Sequence, residues 1–78
     1  MNQELEIIKA IAEHLGLAPQ ELDRGASIRD DLTLGPLEVN DLLESLQKRF
    51  NIVFESEEVE NLKTVNDLII LVEDNLLA

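Results

Sequence analysis

Apolar residues recur at spacings of three and four in three stretches of this chain, and that period predicts three helices. In the first, Leu5, Ile8, Ile11, Ala12 and Leu15 form the stripe expected to face a core. Asn2 is placed to cap this run, Glu4 and Glu6 suit the positive end of its dipole, and Gly16 ends it in a left-handed conformation. In the second, Val39, Leu42, Leu43, Leu46 and Phe50 share one face. That helix opens with Gly35 as N-cap and Pro36 in the first turn, where a missing N–H costs nothing. In the third, Val65, Leu68, Ile69, Val72 and Leu76 form the stripe. Thr64-Val65-Asn66-Asp67 ahead of it reads as a capping box in its Asp form. Ile70 and Leu77 fall on the opposite side of this helix. Packing under a loop is the preferred reading for them, ahead of a small dimer patch.

Between the periodic stretches the pattern changes. From Leu17 to Thr33 no period is sustained, Pro19 and Gly25 punctuate the run, and a turn of helix fits around Gln20 to Leu22. Leu17, Leu22, Ala26, Ile28 and Leu32 give this long loop apolar anchors, so it is expected to pack across the helices. Asn51-Ile52-Val53-Phe54 is a short extended link. Ser56 is placed to cap a brief helical turn over Glu57 to Leu62, with Val59 and Leu62 inward. The chain 1–78 therefore reads as a single all-α domain of three longer helices, one short helix and a long first loop.

One residue breaks the pattern in an informative way. Leu37, next to Pro36, points away from the apolar stripe of the second helix, among Asp41, Glu44 and Lys48. An exposed Leu beside a helix start, ringed by acids, marks a candidate contact surface.

Charge sharpens that reading. Seventeen acids against six bases give a net charge of −11, with 45% hydrophobic residues and 3% aromatic. Such a chain repels nucleic acid and anionic membranes and attracts proteins with basic patches. No apolar run approaches the roughly 20 residues that span a bilayer. Met1-Asn2-Gln3-Glu4 lacks the basic flank of a secretory signal, and there is no Cys for a disulfide or a zinc cluster. The expectation is a cytoplasmic monomer held together by aliphatic packing.

Little in the sequence carries chemistry. His14 is the single His and reads as a surface residue. Asp30, Gly35, Leu37 and Asp41 imitate the first, sixth, eighth and twelfth positions of a calcium loop. The third and fifth positions are Leu32 and Leu34, which offer no side-chain oxygen, so no metal site is expected. With one His, no Cys and no Gly-rich phosphate loop, no catalytic set exists, and an enzyme is not expected.

The order of elements and the residues together resemble an acyl carrier protein. Leu15-Gly16-Leu17, Glu21-Leu22, Ala26-Ser27-Ile28 and Asp31-Leu32 match the end of the family's first helix and its long loop without a gap. Leu37-Glu38, the Leu-rich helix to Phe50, Glu57-Glu58 and Thr64-Val65 continue the match over nearly the whole chain. The resemblance implies a right-handed four-helix bundle. It also implies a departure at the centre of function. Carriers of this family bear Asp-Ser-Leu at the start of the second helix, and the Ser hydroxyl is joined to 4′-phosphopantetheine, whose thiol holds the acyl group. This chain reads Gly35-Pro36-Leu37, so Pro36 occupies the attachment position.

Two readings follow from the resemblance. The first is a carrier-like, non-catalytic interaction module of fatty-acid or polyketide type metabolism, with no cofactor expected. Leu37 is then the apolar anchor, with Glu38, Asp41 and Glu44 guiding enzymes that carry basic carrier-recognition patches. The second is a genuine acyl carrier whose attachment Ser is altered to Pro36 in this form or replaced by another hydroxyl. Thr33, Ser27 and Ser45 are the candidates, and 4′-phosphopantetheine belongs to this second reading alone.

Overall fold

The computed structural model describes residues 3–77. Their helices are α1 (Gln3–Leu15), α2 (Pro36–Phe50), α3 (Ser56–Glu60) and α4 (Val65–Leu77), with a 3₁₀ turn at Pro19–Glu21. No strand occurs among the described residues; one isolated antiparallel bridge joins Ser27 and Thr64. The all-α carrier-like architecture is therefore present, with the short turn of helix placed in the long loop as expected. The cap expected from Asn2 lies outside the described residues.

The helix ends follow from local chemistry. Gly16, at φ +74°, closes α1 in a Schellman turn, with Leu17 N–H donating to Ala12 C=O at 2.8 Å and Gly16 N–H to Glu13 C=O at 3.2 Å. Asn51, at φ 55°, performs the same service for α2, where Ile52 N–H donates to Gln47 C=O at 3.0 Å. The α3 cap is a correction: Glu55 rather than Ser56 is the N-cap, because Glu58 reaches back to accept the Glu55 N–H at 2.9 Å. That pairing starts α3 one residue earlier. Leu62 lies beyond its end, though both Val59 and Leu62 pack on the core.

The box opening α4 is complete. Asp67 N–H donates to the Thr64 hydroxyl at 3.2 Å, while one Asp67 oxygen accepts the N–H groups of Thr64 and Lys63, each at 3.1 Å. The Thr64 N–H, followed by that of Lys63, holds the Asp67 carboxyl below the usual carboxylate range. A depressed folded value stabilises fully above the unfolded value of about 3.9 and is lost as pH falls through the folded one. Urea unfolding of the parent and of Asp67→Asn should thus differ by a constant amount from pH 7 to about pH 5. Below that the two should converge. Thr64→Ala should cost about 0.5–2 kcal/mol at pH 7, as loss of an N-cap does; a gap between parent and Asp67→Asn that persists to pH 2 would contradict the assignment.

Packing corrects two faces. On α1, Ile7, Ala10, Ile11 and Ala12 are buried, Ile8 and Leu15 pack at the edge, and Leu5 stands 43% exposed. The stripe expected through Leu5 is thus turned toward Ile7. The reason is that α1 lies against both α2 and α4, so it buries a wider arc than one neighbour requires. On α4, Val65, Leu68, Ile69 and Val72 are buried as expected, Leu76 packs at the edge, and Leu71 joins the core. Ile70 and Leu77 are exposed at 45% and 78%, so they do not pack under the loop.

The long loop instead clasps the start of α4. Ile28 N–H donates to Lys63 C=O at 2.9 Å, Val65 N–H to Ala26 C=O at 3.0 Å, and Asn66 N–H to Arg24 C=O at 2.8 Å. The Arg24 guanidinium pairs with Glu4 and donates to Asn66 Oδ1 at 3.1 Å. Leu22, Ala26 and Ile28 are buried beneath, and Leu17 and Leu32 pack at the edge. The anchors read from the sequence do hold this loop down.

Candidate functional site

The start of α2 is built by three neighbouring residues with different tasks. Gly35, at φ −80°, is the N-cap, Pro36 holds the first helical position, and the Glu38 carboxylate accepts the Gly35 N–H at 3.1 Å. Gly35 has no side chain to return that bond, so the cap is half of a capping box. The interior of α2 is fixed by Leu42, Leu43 and Leu46, all buried, with Val39 and Phe50 partly so. That anchoring leaves Pro36, Leu37, Glu38, Asp41 and Glu44 exposed.

Leu37 is 79% exposed, the most open of the large apolar side chains among the described residues. At about 100° per residue, Leu37, Asp41, Glu44 and Lys48 form one strip along the helix, and Glu38 stands to its side. Within the strip the C-terminal end is already neutralised. Lys48 lies 3.7 Å from Glu44, and Arg49 reaches across to Glu13 of α1 at 3.0 Å. An exposed pair of this kind contributes only about 0.3–0.5 kcal/mol to stability, so its consequence is for surface charge. Asp41 is left as the acid beside Leu37 with no pair in the strip.

Two surface features near the strip were not singled out in the sequence. His14, Leu15, Leu34, Glu38 and Asp41 line a depression of about 210 Å³, which makes the exposed His14 a neighbour of the α2 start. A larger groove of about 430 Å³ lies between α2 and α3, lined by Leu43, Phe54 and Val59 with Asn40, Glu44, Gln47, Ser56 and Glu60. Gln47 holds its wall, accepting the Phe54 N–H at 3.0 Å and donating to Leu43 C=O at 3.3 Å. The signal for this groove was present as Gln47 beside an apolar stripe and as Phe54, an aromatic side chain in the extended link.

The hydroxyls are positioned for other work. Ser27 Oγ accepts the Asp30 N–H at 3.2 Å, and its N–H donates to Asp31 at 2.7 Å, bracing the loop as expected. Thr33 Oγ1 donates to Leu32 C=O at 2.7 Å, at an exposed residue with φ 52°, a conformation a β-branched side chain seldom takes. Ser45 is half-buried inside α2, beside Ala10, Glu13, His14 and Arg49. None of the three lies in the first turn of α2. Pro36 itself offers no nucleophile and Gly35 no carboxylate, so the α2 start does not fit attachment of a phosphopantetheine arm. Among the described residues there is no group of three or more His, Cys, Asp or Glu placed to hold a metal ion. No helix there is long and apolar enough to cross a membrane.

The likeness to known proteins agrees with the all-α fold. The family model described as a phosphopantetheine attachment site matches residues 6–72. An acyl carrier protein of Exiguobacterium sibiricum is 39% identical over 69 residues, 88% of this chain and 87% of that protein. One from another Exiguobacterium strain is 35% identical over 72 residues, covering 92% and 91%. A third, from Thermosynechococcus vestitus, is 35% identical over 81 aligned positions, with both chains covered in full. This chain, in which Pro36 begins α2, belongs to the phosphopantetheine-attachment family of the acyl carrier proteins.

Proposed function

We propose that this protein is a carrier-like interaction module that bears no prosthetic arm and binds enzymes able to recognise carriers. Like the family's carriers it performs no catalysis. The observation that supports this reading is the combination at the start of α2: a presented, 79% exposed Leu37 beside a residue with no nucleophile. The partners are enzymes of fatty-acid or polyketide type metabolism carrying basic patches, met by a cytoplasmic monomer. Leu37 supplies the apolar contact, while Asp41, Glu38 and Glu44 supply electrostatic guidance. Because Lys48 offsets Glu44 and Arg49 offsets Glu13, the attraction is concentrated on Asp41 and Glu38 in the first two turns of α2, with Glu44 contributing less. Glu38 contributes less freely, since its carboxylate also holds the Gly35 N–H.

A second reading is a working carrier whose attachment residue is altered to Pro36 in this form or lies elsewhere. It draws support from the relatives' name and from Thr33, an exposed hydroxyl three positions before Pro36. Intact mass after incubation with a phosphopantetheinyl transferase and coenzyme A separates the two. The armless reading expects no gain, and a gain would overturn it.

The interface has its own measurement. Against an enzyme that binds acyl carriers, Leu37→Ala should weaken association about fivefold or more, as loss of a buried apolar anchor does. Asp41→Ala should weaken it less at physiological salt and act mainly on the association rate. Equal binding by parent and both variants would place the interface elsewhere.

A further inference from the structure

A second groove, between α3 and α4, is not used by the proposed role. Its floor is Leu62, Ile70 and Leu71, and its rim is Glu58, Asn61, Asp67 and Asp74. Among the described residues no base lines it, and it shares none with the depression beside the α2 start. Ile70 is 45% exposed there, on a helix whose opposite side is already in the core. The volume is about 250 Å³, below the roughly 300–1,000 Å³ of small-molecule pockets, which suits an anchoring side chain better than a cofactor.

Charge decides what kind of occupant fits. Three carboxylates around an apolar floor repel an anionic lipid surface and favour cations beside an apolar group. A second copy of this chain brings its own −11 charge and the same acids. Asp67 uses one oxygen to cap α4 and Glu58 one oxygen to cap α3, so Asp74 is the main attracting carboxylate at the rim, with the second oxygen of Glu58 beside it.

We propose that the α3–α4 groove is a docking surface for a basic amphipathic protein segment, which seats one apolar side chain on Leu62, Ile70 and Leu71 while its Lys or Arg groups meet Glu58 and Asp74. This surface is separate from the α2 start and does not rest on the armless reading.

The probe is a synthetic amphipathic helical peptide of Leu and Lys, titrated into the full isotope-labelled chain and followed by amide chemical shifts. Saturable shifts should centre on Leu62, Ile70 and Leu71. Ile70→Asn and Asp74→Lys, both at exposed positions, should each raise Kd about fivefold or more while leaving the helical circular dichroism unchanged. Leu37→Ala should leave this Kd within about twofold, as expected for a residue that does not line the groove. Shifts confined to α2, shifts spread evenly over the acidic surface, or parent-like binding by Ile70→Asn overturn the proposal. Dimerisation of the parent that Ile70→Asn abolishes, read by sedimentation, overturns it too, because the groove then belongs to a second copy.

Discussion

On the proposed armless reading, Pro36→Ser should gain a single arm from a phosphopantetheinyl transferase and coenzyme A, where the parent is expected to gain no mass. The expected change is from none to detectable loading, because Ser supplies the missing nucleophile at an exposed first helical position. Gly35→Asp combined with it should load further. A Cβ at Gly35 meets Glu38 Oε1 at 3.5 Å, an ordinary contact, and the backbone there at φ −80° suits any residue. The new carboxylate is a better N-cap than Gly by a few tenths of a kcal/mol, which offsets its approach to Glu38. Neither substitution touches the core, so stability should stay within about 0.5–1 kcal/mol of the parent. A folded double variant that still takes no arm would mean that the surface read by the transferase has diverged along with the attachment residue. Loading of the parent would move attention to Thr33, Ser27 or Ser45 by fragment mapping.

A large stability effect should come from Ile7→Ala. Ile7 is fully buried at the centre of the α1 arc. Truncating such a residue costs about 2–5 kcal/mol in lost transfer energy and residual cavity. A domain of 78 residues has a total stability of roughly 4–12 kcal/mol at the usual per-residue value, so this single change removes a large share of it. Leu5→Ala, at a position 43% exposed, should cost about 1 kcal/mol or less. Urea midpoints of the two variants decide how α1 is turned: a larger loss from Leu5→Ala would restore the stripe that periodicity alone suggests.

That pair shows where sequence pattern stops being informative. Caps and ends were legible because they depend on neighbours in the chain. Gly16, Gly35-Pro36 and Thr64-Asp67 each act within five residues of themselves, and their geometry is as their types imply. The arc a helix buries depends on how many other helices touch it, which period alone does not carry. Ile7 and Leu71 entered the core and Leu5 left it for that reason, while Ile70 and Leu77 stayed outside it with no loop over them. At the α2 start, exposure of Leu37 was legible because the Leu42, Leu43 and Leu46 face fixes the rotation of the helix. The pairing of Arg49 with Glu13, and the place of His14 beside Asp41, were not, since both need the packing of α1 against α2. The cap of α3 failed for a smaller reason: Ser56 has the higher intrinsic preference, but Glu58 at three residues' distance makes Glu55 the better-satisfied start.

The clasp between the long loop and α4 has a consequence in time. It joins residues 24–28 to residues 63–66, nearly forty positions away along the chain. Closing so long a loop loses entropy before the contacts repay it, so these bonds are expected to form late, after local helix structure and early collapse. Interactions absent from the folding transition state govern the rate of opening rather than the rate of folding. Weakening the Arg24–Asn66 contact should therefore quicken unfolding while refolding proceeds almost unchanged. A faster unfolding with unchanged refolding would make the clasp a latch on the lifetime of the native state.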